Sequence, residues 1–183
     1  MARADALAAY ERLPIPDTTE EHWRFTDLAG FDPDAFAGAA SADIETLLDL
    51  DVAGYATVTA DGIEIERAPE GVTFAPLPED YERLYSLVGW DEKFAAHNAA
   101  MWKHGLLVVV PKGVVLEKPL YVRIAATGQT FWRLVVVAED AARASLIEEY
   151  ASPAPDTAAY SNAAVELFVE QGAKLEYVSL QNL

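Results

Sequence analysis

Glu148 and Glu149 are adjacent, and Glu166 and Glu170 lie four apart; these carboxylates are spaced in ways that could support acid–base chemistry. Two carboxyl groups flanking a glycosidic bond can protonate the leaving group and activate the attacking group. Polysaccharide lyases and hydrolases built as solenoids use this chemistry. The chain, however, carries 30 acidic and 13 basic residues, so neighbouring glutamates read first as solvated surface.

The three histidines offer less. His97 and His104 are seven apart, which is two helical turns and too far for the adjacent-turn pairing of helical metal motifs. His22 has acidic neighbours in "TEEHW" but no second ligand placed by spacing, so packing or surface roles are expected for all three. There is no cysteine, hence no disulfide and no thiolate metal site. "VVVPKGVV" is a tight turn with one lysine and not a phosphate loop, and no Ser–His–Asp triad is recognisable. No catalytic, cofactor-binding or metal-binding residue is therefore expected in this segment.

The formal charge of −17 repels nucleic-acid phosphates and anionic lipid, which excludes both as natural partners. The acids are spread along the chain, lysine is scarce and alanine abundant. That composition suits a cytoplasmic protein of a salt-accumulating organism, kept soluble in concentrated salt by its carboxylates. "MARADALAAYERLP" has no apolar core of signal-peptide length, and no segment approaches a membrane span.

With 183 residues, 52% of them hydrophobic, the chain can bury roughly two-thirds of its unfolded surface. Leu7, Tyr10 and Leu13, three apart, predict a first helix stopping at Pro14. Thr18 and Glu21 have capping-box spacing and predict a short helix or turn, packed through Trp23, Phe25 and Leu28. Ile44, Leu47 and Leu48 share a helical face in "ADIETLLDL". Asp61-Gly62 predicts a hairpin within "YATVTADGIEIERA", and "GVTFAPL" a further strand. "PEDYERLYSLVGWDEKFAAHNAAMWKHG" predicts a helix, a break near Gly89, and a second helix striped by Phe94, His97 and Met101.

From Gly105 onward every element reads as strand, separated by short turns. "RLVVVA" is apolar on both faces, which implies parallel neighbours, yet no crossover helices intervene. Parallel strands joined by short turns point to a β-solenoid. A weak repeat supports it: "EDAARASLIE" from Glu139 aligns with "EQGAKLEYVS" from Glu170 at an offset of 31, placing Ala142-Arg143 on Ala173-Lys174. "PKGVVLEKP" reads as a more degenerate copy. The sequence closes at "VSLQNL" in mid-strand with no capping unit, so a continuation of the sheet, by further chain or by another molecule, is expected.

Two stretches carry a family resemblance. "LPIPDTTEEHWRFTDLAGF", through Thr19, Glu21, Trp23, Arg24, Phe25, Thr26, Asp27 and Leu28, resembles the N-terminal signature of the SufD branch of the SufB/SufD family. "HNAAMWKHGLLVVVPKGVVLEKPLYVRI" resembles that family's entry into its β-helix through Asn98-Ala99, Gly105, Val110 to Val114, Glu117 and Pro119. Arg133, Glu148, Tyr150, Asn162 and Gln181-Asn182 follow the same pattern, and "TADGIEIERAPEGVTFAPL" is similar to the family's N-terminal hairpin region.

The resemblance implies a scaffold subunit of the SUF iron–sulfur cluster assembly machine, not an enzyme, acting with SufB and the ATPase SufC. It implies a mainly β fold: an N-terminal α+β helical region over residues 1–103, then the first coils of a right-handed parallel β-helix over 104–183, cut short. The family's cluster-building residues lie later in the β-helix or in SufB, and its ATPase-binding helices follow the β-helix. No functional residue carries over to a position here, and no cofactor is expected to be bound by this segment; the cluster belongs to the full complex. Arg24 is expected to pair with a nearby carboxylate or carbonyl in a structural role. Self-association through the open C-terminal edge is expected of the chain alone. The competing readings are a β-solenoid enzyme acting on polysaccharide and a plain protein-interaction module.

Overall fold

A computed structural model describes residues 2–36, 44, 48–152 and 158–183. The protein is mainly β, with its parallel strands gathered in two sheets. Helix α1 spans Ala2–Arg12 and buries Ala6, Ala9 and Tyr10, stopping before Pro14 as predicted. Leu7 falls outside that stripe and is exposed, because the small residues Ala6 and Ala9 are what allow α1 to lie close to a second helix. Residues 17–25 form successive turns and no helix: Asp17, not Thr18, does the capping, accepting from the backbone N–H and the hydroxyl of Thr19. Phe25, expected to pack, stands in solvent. Arg24 pairs with Glu21 at 2.7 Å, with both side chains exposed. The helix expected around 42–50 lies mostly outside the described residues; Ile44 is buried, and 48–50 are not helical.

Strands β1 (Gly54–Thr59) and β2 (Gly62–Arg67) form the expected hairpin, with Thr59 opposite Gly62. The two turn residues are therefore Ala60 and Asp61, one position earlier than the Asp-Gly signal suggests. Strand β3 (Thr73–Pro76) follows. The helix expected over 79–88 is absent; turns replace it, and Tyr85 adopts φ +67°. The reason is visible: the backbone N–H groups of Tyr85, Leu87 and Val88 go to the carboxylate of Glu166 instead of to an intrahelical carbonyl. Helix α2 (Lys93–Met101) forms as predicted and buries Ala96, His97, Asn98 and Ala99, while Met101 is largely exposed.

All six later strands form: β4 (His104–Val110), β5 (Leu120–Ala125), β6 (Gln129–Ala138), β7 (Arg143–Ala151), β8 (Tyr160–Val169) and β9 (Lys174–Asn182). Successive strands alternate between sheets, giving the orders β2-β1-β5-β7-β9 and β3-β4-β6-β8. The pairs β4–β6, β6–β8, β5–β7 and β7–β9 are parallel. The offset-31 repeat is the sheet register itself: Arg143 faces Lys174, and Gln129 faces Tyr160. The turns stack as well, since Gly113 donates to the Asp140 carbonyl and Ala141 to that of Gln171.

The core fills the space between the sheets with Val58, Leu106, Val108, Val122, Ile124, Leu134, Val136 and Leu146, among others. As "RLVVVA" implies, β6 is buried on both faces, Val135 and Val137 packing outward against Leu77, Leu84 and Trp102. Gly105 permits the closest approach: a Cβ there would lie 2.7 Å from the Arg133 carbonyl oxygen.

Candidate functional site

The four glutamates singled out by their spacing are not where surface acids would be. Glu148, Glu149 and Glu166 are fully buried, and Glu170 is half-covered in the turn after β8. The surface expectation for the three therefore fails, and each has found donors, as buried charges must.

Glu148 and Glu149 are neighbours on β7, and successive side chains of a strand point to opposite faces. Glu148 lies between the sheets. It accepts from the Trp132 indole N–H at 2.5 Å, from the Tyr150 hydroxyl at 3.4 Å, and from the Tyr177 hydroxyl. Burial pushes its carboxyl above the ordinary range, against the pull of those three donors, and the hydroxyls of Tyr150 and Tyr177 are raised by the same burial and by the glutamate. Glu149 lies on the outer face and accepts from the Tyr121 hydroxyl. The two carboxylates cannot converge on one substrate bond.

Glu166 and Glu170 act on one segment. Glu166, on the outer face of β8, accepts from the N–H groups of Tyr85 (3.0 Å), Leu87 (2.8 Å) and Val88 (3.3 Å) and pairs with Arg133 at 3.1 Å. Glu170 pairs with Arg83 at 2.6 Å. Both carboxylates fasten the 79–88 segment to the sheet. Arg133, fully buried, also donates to the Val88 carbonyl and to Asn98 Oδ1, and its guanidinium lies 4.2 Å from the Tyr85 ring centre. Burial weakens its hold on its proton and the Glu166 charge opposes that. An arginine remains charged there.

Asn98 completes the network. Its amide donates to the carbonyls of Trp132 (3.0 Å) and Asn162 (2.9 Å), so one α2 side chain clamps β6 and β8 together. Asn162 returns a bond to the Phe94 carbonyl at 2.9 Å.

Of the histidines, His97 packs as expected. It stacks on Tyr10 with ring centres 4.0 Å apart and meets Phe131 edge-on. Its Nε2 lies 3.6 Å from Asp34 and its Nδ1 3.4 Å from the Tyr160 hydroxyl. Burial holds it below the ordinary histidine value, with Asp34 pulling the other way, and pushes Tyr160 up to about 12. His22 and His104 stand apart from it at or near the surface. Among the described residues no group of three or more His, Asp or Glu side chains is gathered in a way that could hold a metal.

Of the residues that carried the resemblance, Thr19, Glu21, Arg24, Phe25, Thr26 and Asp27 of its N-terminal stretch are exposed, whereas Asn98, Arg133, Glu148, Tyr150 and Asn162 are buried hydrogen-bonding groups. Spacing alone could not reveal this, because their partners come from other strands. Trp132 and Tyr177 gave no signal of their own, and Tyr10 signalled only a helical stripe; each matters through a partner distant in sequence.

Residues 122–183 match the family model described as SUF system FeS cluster assembly, SufBD core domain. A SufBD family protein of Staphylococcus epidermidis is 36% identical over 95 residues, covering 50% of this chain and 20% of that protein. The iron–sulfur cluster assembly protein SufB of Bacillus subtilis is 36% identical over the same share of each chain. The matched stretch spans about a fifth of the length of these relatives. Over residues 122–183 the chain is similar to the SufBD core domain, and these matches do not single out the SufD branch.

Proposed function

We propose that this chain is a scaffold segment of a SUF iron–sulfur cluster assembly complex, without catalytic residues of its own, acting in the cytoplasm with SufB and the ATPase SufC. The observation that carries the reading is the coincidence of the SufBD core match over 122–183 with strictly alternating, parallel strand pairing in the same residues. In this reading strands β4 to β9 are the opening coils of a right-handed parallel β-helix, with residues 1–103 as the region that leads into it. The cluster is the cargo of the assembled complex.

The buried placement of Glu148, Glu149 and Glu166 favours the scaffold over a sugar-cleaving solenoid, since each is committed to donors of the fold itself. Co-expression of the tagged 183-residue chain with SufB and SufC from the same genome tests the reading. A co-eluting complex containing SufB is expected. Elution of the chain free of SufB under conditions where SufB and SufC associate would overturn it.

A further inference from the structure

The segment from Pro14 to Phe31 displays one aromatic ring outward on a rigid mount. Its turns are closed by backbone bonds from Glu20 to Asp17, Trp23 to Glu20 and Thr26 to Trp23, at 3.1, 2.9 and 2.8 Å. Trp23 ties the mount to α2 by packing on Phe94, ring centres 5.2 Å apart, and Phe31 joins the same aromatic group. Phe25 alone is turned away, 87% exposed, with the Arg24 guanidinium 4.6 Å from its ring centre. An exposed aromatic held by a preordered turn loses little conformational freedom on binding, the property that makes such rings binding hot spots.

Two residues before it, Trp23 lines a cleft of about 190 Å³ between the turn and the start of α2, with His22 also at its edge. Its walls include Pro14, Pro16 and the Trp23 ring, and its rim carries Glu20, Asp91 and Glu92. Glu92 occupies the N-cap position of α2 yet makes no side-chain capping bond, and none of the three forms an ion pair among the described residues. The one amine lining the cleft, Lys93, is turned to the Tyr10 carbonyl at 2.7 Å and to the Tyr10 ring. An indole face with carboxylates around it suits a cationic side chain.

We propose that Phe25 and the acidic cleft lined by Trp23 dock a basic segment of a partner protein. The Phe25 ring packs on apolar side chains of that segment, while one of its arginine or lysine side chains enters the cleft between Trp23 and the Glu20, Asp91 and Glu92 carboxylates. Charge complementarity selects the partner's chemistry, since the turn also bears Asp17, Glu21 and Asp27 and its one arginine is already paired with Glu21.

The test is titration of the 183-residue chain with a decapeptide of alternating arginine and leucine, followed by backbone amide shifts in NMR. Shifts concentrated at residues 16–28 and 91–94 are expected. Affinity should fall at least tenfold in Phe25→Ser and in the triple variant Glu20→Gln/Asp91→Asn/Glu92→Gln. It should be unchanged in the equally neutralised control Asp61→Asn/Glu64→Gln/Glu70→Gln, which alters exposed acids in and just beyond the hairpin. All these side chains are exposed, so the variants keep the fold, which circular dichroism verifies. Equal weakening by both triple variants, shifts spread over the whole acidic surface, or undiminished binding by Phe25→Ser would each overturn the proposal.

Discussion

Arg133 on β6 and Glu166 on β8 meet at 3.1 Å with neither side chain reached by solvent, and the same carboxylate holds three backbone N–H groups of the segment from Tyr85 to Val88. Removing one member of such a pair leaves a charge buried without compensation, which costs about 3–5 kcal/mol. Glu166→Gln is therefore expected to lower stability by an amount in that range in urea unfolding. Hydrogen exchange of the Tyr85, Leu87 and Val88 amides should accelerate together. A loss below 1 kcal/mol with unchanged exchange would remove the anchoring role.

His97 gives a pH dependence with a definite sign. Its folded value lies below the ordinary histidine value of about 6.5, so the unfolded chain takes up the proton first as pH falls. Its contribution is full above that ordinary value and is lost as pH drops through it toward the folded value. His97→Phe keeps the ring stack on Tyr10 and Phe131 but cannot titrate. The variant is expected to show a flatter stability profile between pH 7 and 5, read from chemical denaturation at fixed salt; parallel profiles would refute this.

Glu148 acts in the opposite sense. Its carboxyl is raised by burial, so the folded state retains the proton longer and stability falls as pH rises from the ordinary glutamate range through the folded value. Glu148→Gln preserves an acceptor for Trp132 and the tyrosines and removes the titration. Stability of this variant relative to the parent should therefore improve from pH 4 to pH 7. A constant difference across that window would show that Glu148 keeps an ordinary value.

Strand β8 pairs only with β6, and β9 only with β7, among the described strands, and Val169 and Val178 are half exposed there. Unpaired backbone beside aliphatic side chains favours edge-to-edge association. The −17 charge opposes it, but screening shortens that repulsion from about 8 Å at physiological salt to about 3 Å at 1 M. The 183-residue chain is expected to form dimers or soluble aggregates increasingly as salt rises, as followed by light scattering. A clean monomer at high salt and high concentration would contradict this.

The same charge makes stability itself salt-dependent. Molar KCl should raise the melting temperature relative to dilute buffer by relieving self-repulsion of the 30 acidic residues. An unchanged melting temperature would count against adaptation to concentrated salt.

Periodicity made the β-rich half legible because its signals are local and agree with their surroundings. The six strands after Gly105, the parallel neighbours of β6 and the register of Arg143 on Lys174 all followed from pattern and repeat. The segment 79–88 was misread because its helical spacing competes with a carboxylate some 80 positions away that captures its amides. Glu148 was misread for a related reason: composition speaks for the average acid, whereas its donors Trp132 and Tyr177 sit on other strands. Phe25 was expected to pack with Trp23 and Leu28, but the successive turns over 17–25 leave it exposed while Trp23 packs on Phe94.

Alternation between sheets also has a kinetic consequence. Among the described strands, the hairpin of β1 and β2 is the one pair closed by a two-residue turn; every parallel partner is a long way off in sequence, Leu120 meeting Leu146, His104 meeting Trp132, and Arg143 meeting Lys174. From β4 onward these pairings close loops of similar size and meet similar entropic barriers, whereas β5 meets β1 across a much longer loop, Gly54 facing Leu120. Relative to the chain length, separations of this size place folding between the fast helical bundles and the slow all-β sandwiches. No parallel pairing from β4 onward is favoured as a starting point, so assembly can nucleate at any of these neighbouring pairs and spread along the stack in either direction.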